Sequence, residues 1–138
     1  MISKKTLYGL EAVILLAKHQ DGPVLITNLA REGKIPKKFL EAILLELRKG
    51  GILNSKKGKG GGYVLAKSPQ DISVGSIIRT LEGPFSDFSI EDETEETNEI
   101  KMIIKEVRDA MSNILDKTTI ADVIERACSG QNVLNYVI

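Results

Sequence analysis

"LRKGGILNSKKGKGGGYVL" runs from Leu47 to Leu65, and its reading decides the fold. Six glycines and five basic residues stand in it without one acid, between apolar residues on either side. Ile52-Leu53 and Tyr63-Val64-Leu65 are short β-prone runs, and the Gly-rich loop Asn54–Gly62 between them makes the stretch a β-hairpin. Glycine at a hairpin tip allows positive φ and a close approach of backbone to another surface. A phosphate-cradling P-loop requires Gly-Lys-Ser/Thr leading into a helix. Gly58-Lys59 is followed by Gly60 and then by a strand, which excludes that reading. A disordered linker would not be pinned between apolar strands directly after an amphipathic helix.

Upstream, Ile35-Pro36 opens a helix in which Phe39, Leu40, Ile43, Leu44 and Leu47 form one apolar face. Pro36 suits the first helical turn, and Gly50-Gly51 stops the helix. Lys37, Lys38, Glu41 and Arg48 lie elsewhere around it. Before it, Val24-Leu25-Ile26 reads as a short extended segment and Thr27 as the N-cap of a short helix ending near Gly33. Two helices joined by so tight a turn outline a helix-turn-helix, and a basic hairpin after one is a wing. Nearer the N-terminus, Ser3 caps a helix with Leu7, Leu10, Ile14 and Ala17 on one face, widened by Val13 and Leu16. Gly22-Pro23 makes the turn that follows.

Downstream, Ser73 caps a helix with Val74, Ile77, Ile78 and Leu81 inward, closed by Gly83-Pro84. Residues 86–99 carry seven acids and no Lys or Arg, and read as an acidic loop entering a helix N-terminus. From about Glu95 to Asp116 a long helix follows, roughly 33 Å at 1.5 Å per residue. Ile100, Ile104, Val107, Met111 and Ile114 fall on alternating steps of four and three, a seam suited to dimerisation. Thr119 caps a last short helix with Ile120, Val123, Ile124 and Ala127 inward, ending at Gly130. The apolar tail Val133–Ile138 is expected to pack on a partner subunit. The expected fold is mainly α with a small β-hairpin: a winged helix-turn-helix domain over 1–83, an acidic loop over 84–99, and a dimerisation helix with a C-terminal helix and tail over 100–138.

The net charge of zero hides an asymmetry. Residues 1–67 hold 13 Lys/Arg against 5 Asp/Glu (13 − 5 = +8), and residues 68–138 hold 6 against 14 (6 − 14 = −8). The first half is therefore built to meet a polyanion. The chain has no Trp and few aromatics, so its core is aliphatic. No apolar run reaches the roughly 18–20 residues of a membrane span. The basic start MISKKTLYG lacks the marks of a signal peptide, since Glu11 interrupts the apolar run. One cysteine suits a reducing cytosol, and the expected location is cytoplasmic.

The order Tyr8…Gly22-Pro23-Val24, Ile35-x-x-x-Phe39-Leu40-Glu41, Leu47-Arg48-Lys49-x-Gly51-Ile52-Leu53-x-Ser55 and Gly58-x-Gly60-Gly61-Gly62-Tyr63 resembles the bacterial Rrf-type winged-helix repressors. The similarity continues through Leu65-x-Lys67 and Ile72-x-Val74-Gly75-x-Ile77-Ile78 to Glu82-Gly83. The resemblance implies a homodimeric transcription factor, a repressor, whose partner is double-stranded operator DNA. It places DNA contacts on Pro36, Lys37, Lys38, Glu41 and Arg48 of the recognition helix and on Thr27 and Asn28 at the start of the preceding one. Further contacts fall on Lys56, Lys57, Lys59, Gly60 and Gly61 of the wing, and on Lys4, Lys5 and Tyr8. Glu41 stands where family members carry a groove-reading glutamate, while Pro36, Lys37 and Lys38 stand where some relatives have small polar residues. The family's best-known sensing device is an iron–sulfur cluster held by three cysteines in the loop before the long helix. Here that loop, SDFSIEDETEETNE, has none, so no cluster, metal or other cofactor is expected.

Nothing in the sequence forms a catalytic constellation, and no enzyme is expected. His19 reads as a partly exposed surface residue and Cys128 as a small buried hydrophobe. Three readings stand beside one another: a cluster-free DNA-binding regulator, with or without a small-molecule or protein co-regulator; a winged-helix module that docks an acidic protein; and a regulator that senses a cation through its acidic loop.

Overall fold

The computed structural model describes residues 2–19, 21–83 and 99–137, with side chains described as far as 129. Helix α1 spans Lys4–Lys18, and the Ser3 hydroxyl accepts the Thr6 N–H at 3.3 Å as its cap. Its buried face differs from the expected one. Thr6, Gly9, Ala12, Val13, Leu15, Leu16 and Ala17 point inward, whereas Leu7 is exposed and Leu10 and Ile14 are half-buried. Gly9 explains the rotation: a Cβ there would lie 2.3 Å from Leu81 Cδ1, so its bare backbone lets α1 close on the helix carrying Leu81.

Helix α2 spans Ile26–Gly33 and α3 Lys37–Lys49. Thr27 is therefore inside the first turn of α2. Leu25 is the cap residue, without a side-chain hydrogen bond, and Ile26 is helical rather than extended. The turn is Lys34-Ile35-Pro36. Lys34 adopts the left-handed conformation (φ 53°), the Ile35 N–H reaches back to the Ala30 carbonyl at 3.0 Å, and Ile35 is buried. This is a helix stop clamped by a hydrophobic side chain. Pro36 caps α3 from just outside rather than within its first turn. Leu40, Ile43, Leu44 and Leu47 are fully buried, but Phe39, expected among them, is 62% exposed.

After α3, Gly51 (φ 80°) turns the chain and the Ile52 N–H bonds the Leu47 carbonyl at 3.0 Å. Strands β1 (Leu53–Lys56) and β2 (Gly62–Leu65) pair antiparallel, with Leu53 opposite Leu65 and Lys56 opposite Gly62. Asn54, Ser55 and Lys56 thus belong to a strand, not to the loop, which shortens to residues 57–61. The glycines allow so tight a tip. A Cβ on Gly61 would lie 2.3 Å from the Lys56 carbonyl oxygen, which admits only hydrogen. Val24 exchanges two 2.9 Å backbone hydrogen bonds with Tyr63, so the segment before α2 flanks the wing.

A 3-10 turn (Pro69–Asp71) leads to α4 (Val74–Glu82), capped by the Ser73 hydroxyl. Helix α5 spans Glu99–Lys117, 19 residues or about 28 Å. The expected start near Glu95 and the acidic loop lie outside the described residues. Arg79 of α4 forms a two-pronged ion pair with Asp116 of α5, which holds the Asp116 carboxyl below its ordinary range. Helix α6 (Ile120–Val137) opens on a reciprocal cap: the Asp122 N–H donates to the Thr119 hydroxyl at 3.1 Å and the Thr119 N–H to the Asp122 carboxylate at 3.0 Å. It runs past Gly130, its expected end, because a helix tolerates one interior glycine at modest cost. Packing of the Val133–Ile138 side chains lies outside the described ones. Ile120 is buried in the common core with Leu16, Leu29, Leu44 and Ile77, and Ile124 packs against it. Ala127 is exposed, as is Cys128, so the cysteine is not the core residue expected from its type.

Glu82 closes the base of the fold. The Ser3 side chain and backbone N–H and the Thr6 hydroxyl, the last two at 2.6 Å, bring its pKa down to about 2 from 4.5. A lowered carboxylate pKa stabilises the fold above the unfolded value, and that support is lost as pH falls from 4.5 through 2. The thermal stability of wild type should accordingly exceed that of Glu82→Gln at pH 7, with the gap closing by pH 2. Parallel melts of the two proteins across that range measure it.

Candidate nucleic-acid interface

Helix α3 presents its solvent side because its other side is committed to the core. Lys37, Lys38, Glu41 and Arg48 are all exposed, as is Pro36 at its start. The Arg48 guanidinium donates to the Ser55 hydroxyl at 3.1 Å and so ties the end of α3 to β1. Lys56, Lys57, Lys59 and Gly60 are exposed on the wing, whereas Gly61 is buried beneath the tip. Thr27 is exposed on α2, and Asn28 accepts from the Arg31 guanidinium at 3.1 Å.

The N-terminal residues join the same surface. Lys4, Lys5 and Tyr8 of α1 line one groove, of about 570 Å³, with Pro36, Phe39, Ala42, Ile43 and Glu46 of α3. The Lys4 ammonium lies 5.8 Å from the centre of the Tyr8 ring, and Lys5 pairs with Glu46 at 2.8 Å. Composition and spacing did not single out Phe39 or Ala42 as functional. Periodicity places Phe39 on the apolar face and says nothing of Ala42, and only the packing of α1 against α3 reveals them at the groove.

Glu41 is an isolated acid in this basic setting. Among the described residues it makes no ion pair, neither with Lys37 nor with Lys38 one turn back. His19, by contrast, is exposed and bonded to Glu32 at 2.8 Å.

The arrangement suits phosphate contact and groove reading rather than catalysis. Cations project from α1, α3 and the wing, and no group of three or more His, Cys, Asp or Glu among the described residues could hold a metal. Among those residues, too, no helix is long and apolar enough to cross a membrane. The chain holds one cysteine, and α6 carries it.

Comparison with known proteins agrees with this geometry. The CymR regulator of Bacillus subtilis is 40% identical over 139 residues, covering 99% of both chains. The solved structure of CymR, described as the global cysteine regulator of that organism, superposes with a TM-score of 0.83 at 37% identity, over 91% of this chain and 97% of that one. The T. potens IscR structure follows at 0.79 and 35%, over 92% and 88%. These relatives are transcriptional regulators, not enzymes. The family model for Rrf2, described as an iron-dependent transcriptional regulator, matches residues 2–126, and the chain belongs to that family of winged-helix transcriptional regulators.

Proposed function

We propose that the protein is a homodimeric, sequence-specific DNA-binding repressor of the cytoplasm that works without an iron–sulfur cluster. Residues 1–83 would bind the operator and residues 100–138 would join the subunits. One observation carries the reading: the chain folds its helix-turn-helix and wing into a unit bristling with cations, yet leaves a 19-residue amphipathic helix without a single buried residue. Ile100 and Ile114 are 67% and 62% exposed, and Val107 is 44% exposed. A second copy of the chain would cover that stripe. A dimer of winged helices reads an imperfect palindrome with half-sites about one helical turn apart, or a multiple of that.

The lone cysteine supports cluster-free operation, and a small molecule or a protein would then supply the signal. The full-length likeness to a cysteine regulator makes sulfur-metabolism promoters the first DNA to try. Selection of bound fragments from the source genome, with sedimentation of the complex, tests the whole proposal. A palindromic site bound by two chains is the expected result. Preferential retention on an acidic protein over DNA at equal salt would favour a protein-docking module instead.

The wing should add affinity without choosing sequence. Lys56, Lys57 and Lys59 are exposed beside glycines, with no rigid frame for two-pronged base contacts. Replacing any one with alanine should weaken binding to all DNA alike and lower the salt dependence by about one phosphate contact, roughly 0.9 in the logarithmic slope. A changed preference between operators at an unaltered slope is the contrary result.

A further inference from the structure

Phosphate contacts and Glu41 leave one part of the α3 surface unexplained. Pro36, Phe39 and Ala42 recur three residues apart and are all exposed, so they form an apolar ridge along the flank of α3 that faces α1. Together with Tyr8 they line the groove whose rim bears Lys4 and Lys5. Glu46 on that rim is neutralised by Lys5 at 2.8 Å, and Lys37 and Lys38 stand on the same helix turn as Phe39. The ridge is therefore apolar within a cationic frame. Its complement must be a polyanion that also offers apolar groups.

The major groove of DNA meets that description, because each thymine presents a 5-methyl group between flanking phosphates. We infer that Phe39 and Ala42 are specificity-determining residues that read thymine methyls while Lys4, Lys37 and Lys38 hold the adjacent phosphates. The inference rests on the DNA-binding reading of α3. Phe39 supplies a broad face at the edge of the recognition helix, and the small Ala42 lets the helix approach the base edges closely. Hydrogen bonding by Glu41 and methyl contact by Phe39 would then select different base pairs in one half-site.

The test separates this inference from the function it rests on. DNA selected from a random pool by the full chain is remade with deoxyuridine at each thymine in turn, which removes only the methyl. Burying one methyl corresponds to about a fourfold change in affinity. Wild type should weaken by that factor at one or two thymines per half-site. Phe39→Ala and Ala42→Ser, both at exposed positions, should lose the sensitivity at those thymines and keep their salt dependence. Wild-type binding indifferent to every replacement overturns the inference while leaving DNA binding intact, as does full sensitivity retained by both variants. A Phe39→Ala protein that sediments as a monomer assigns the ridge to a second copy of the chain instead. If no DNA is selected, the DNA-binding reading falls too.

Discussion

Replacing Ile104 and Val107 together with aspartate should yield a folded monomer whose operator affinity is about 10²–10⁴-fold weaker than that of wild type. The two side chains sit at the middle of α5, half-buried and exposed respectively, and no residue of that helix is fully buried in its own subunit. Charges there do not enter the core built on Leu16, Leu44 and Ile77, so the winged domain should keep its melting behaviour. They would, however, place four carboxylates in the seam between two chains, where burial of unpaired charge costs several kcal/mol. The loss in DNA binding follows because a monomer grips one half-site and gives up the effective concentration of the second. Sedimentation velocity and a binding isotherm on the same sample decide the matter. A double mutant that still sediments as a dimer places the interface elsewhere.

The second large effect is expected at Glu41. Substitution by alanine should hold or raise affinity for random DNA, while discrimination among operator variants falls by about 1–3 kcal/mol, the worth of one good base contact. A carboxylate close to phosphates is repelled and lowers general affinity unless a base donates to it, most directly the cytosine amino group. The competing role, a salt bridge to Lys37 or Lys38, would be worth only about 0.2–0.5 kcal/mol. No such bridge forms in the folded chain, which leaves the carboxylate available to a base. Specific and non-specific constants measured at one salt concentration test this. An unchanged ratio between them would remove Glu41 from base reading.

Features governed by neighbours in sequence were legible in advance. Ser3, Ser73 and Thr119 cap their helices as their hydroxyls suggest, and Gly51 ends α3. The hairpin was legible too, because β-prone runs around a Gly-rich loop leave the backbone few alternatives. The strand boundary inside Asn54–Lys56 was not, since polar residues pair in a ladder as readily as they solvate a loop. Thr27 misled for a related reason: a hydroxyl near a helix start suits several positions, and the Val24–Tyr63 pairing sets where α2 begins.

By itself, then, the sequence determined the order of helices and hairpin, the caps at Ser3, Ser73 and Thr119, and the charge dipole between the two halves, all of which depend on residue identity or on spacing within a few residues. Tertiary structure alone decided which apolar side chains the core would take. Leu7 and Phe39 satisfy the helical period as well as Val13 and Leu40 do, yet they remain outside. The close approach that Gly9 permits rotates α1 against α4, and the packing of α1 on α3 leaves Phe39 over a groove. Contacts between residues far apart in sequence, such as Glu82 with Ser3 and Thr6 or Arg79 with Asp116, were likewise settled only there. Periodicity shows that a helix has an apolar face; which edge of that face is buried depends on the shape of the neighbour packed against it.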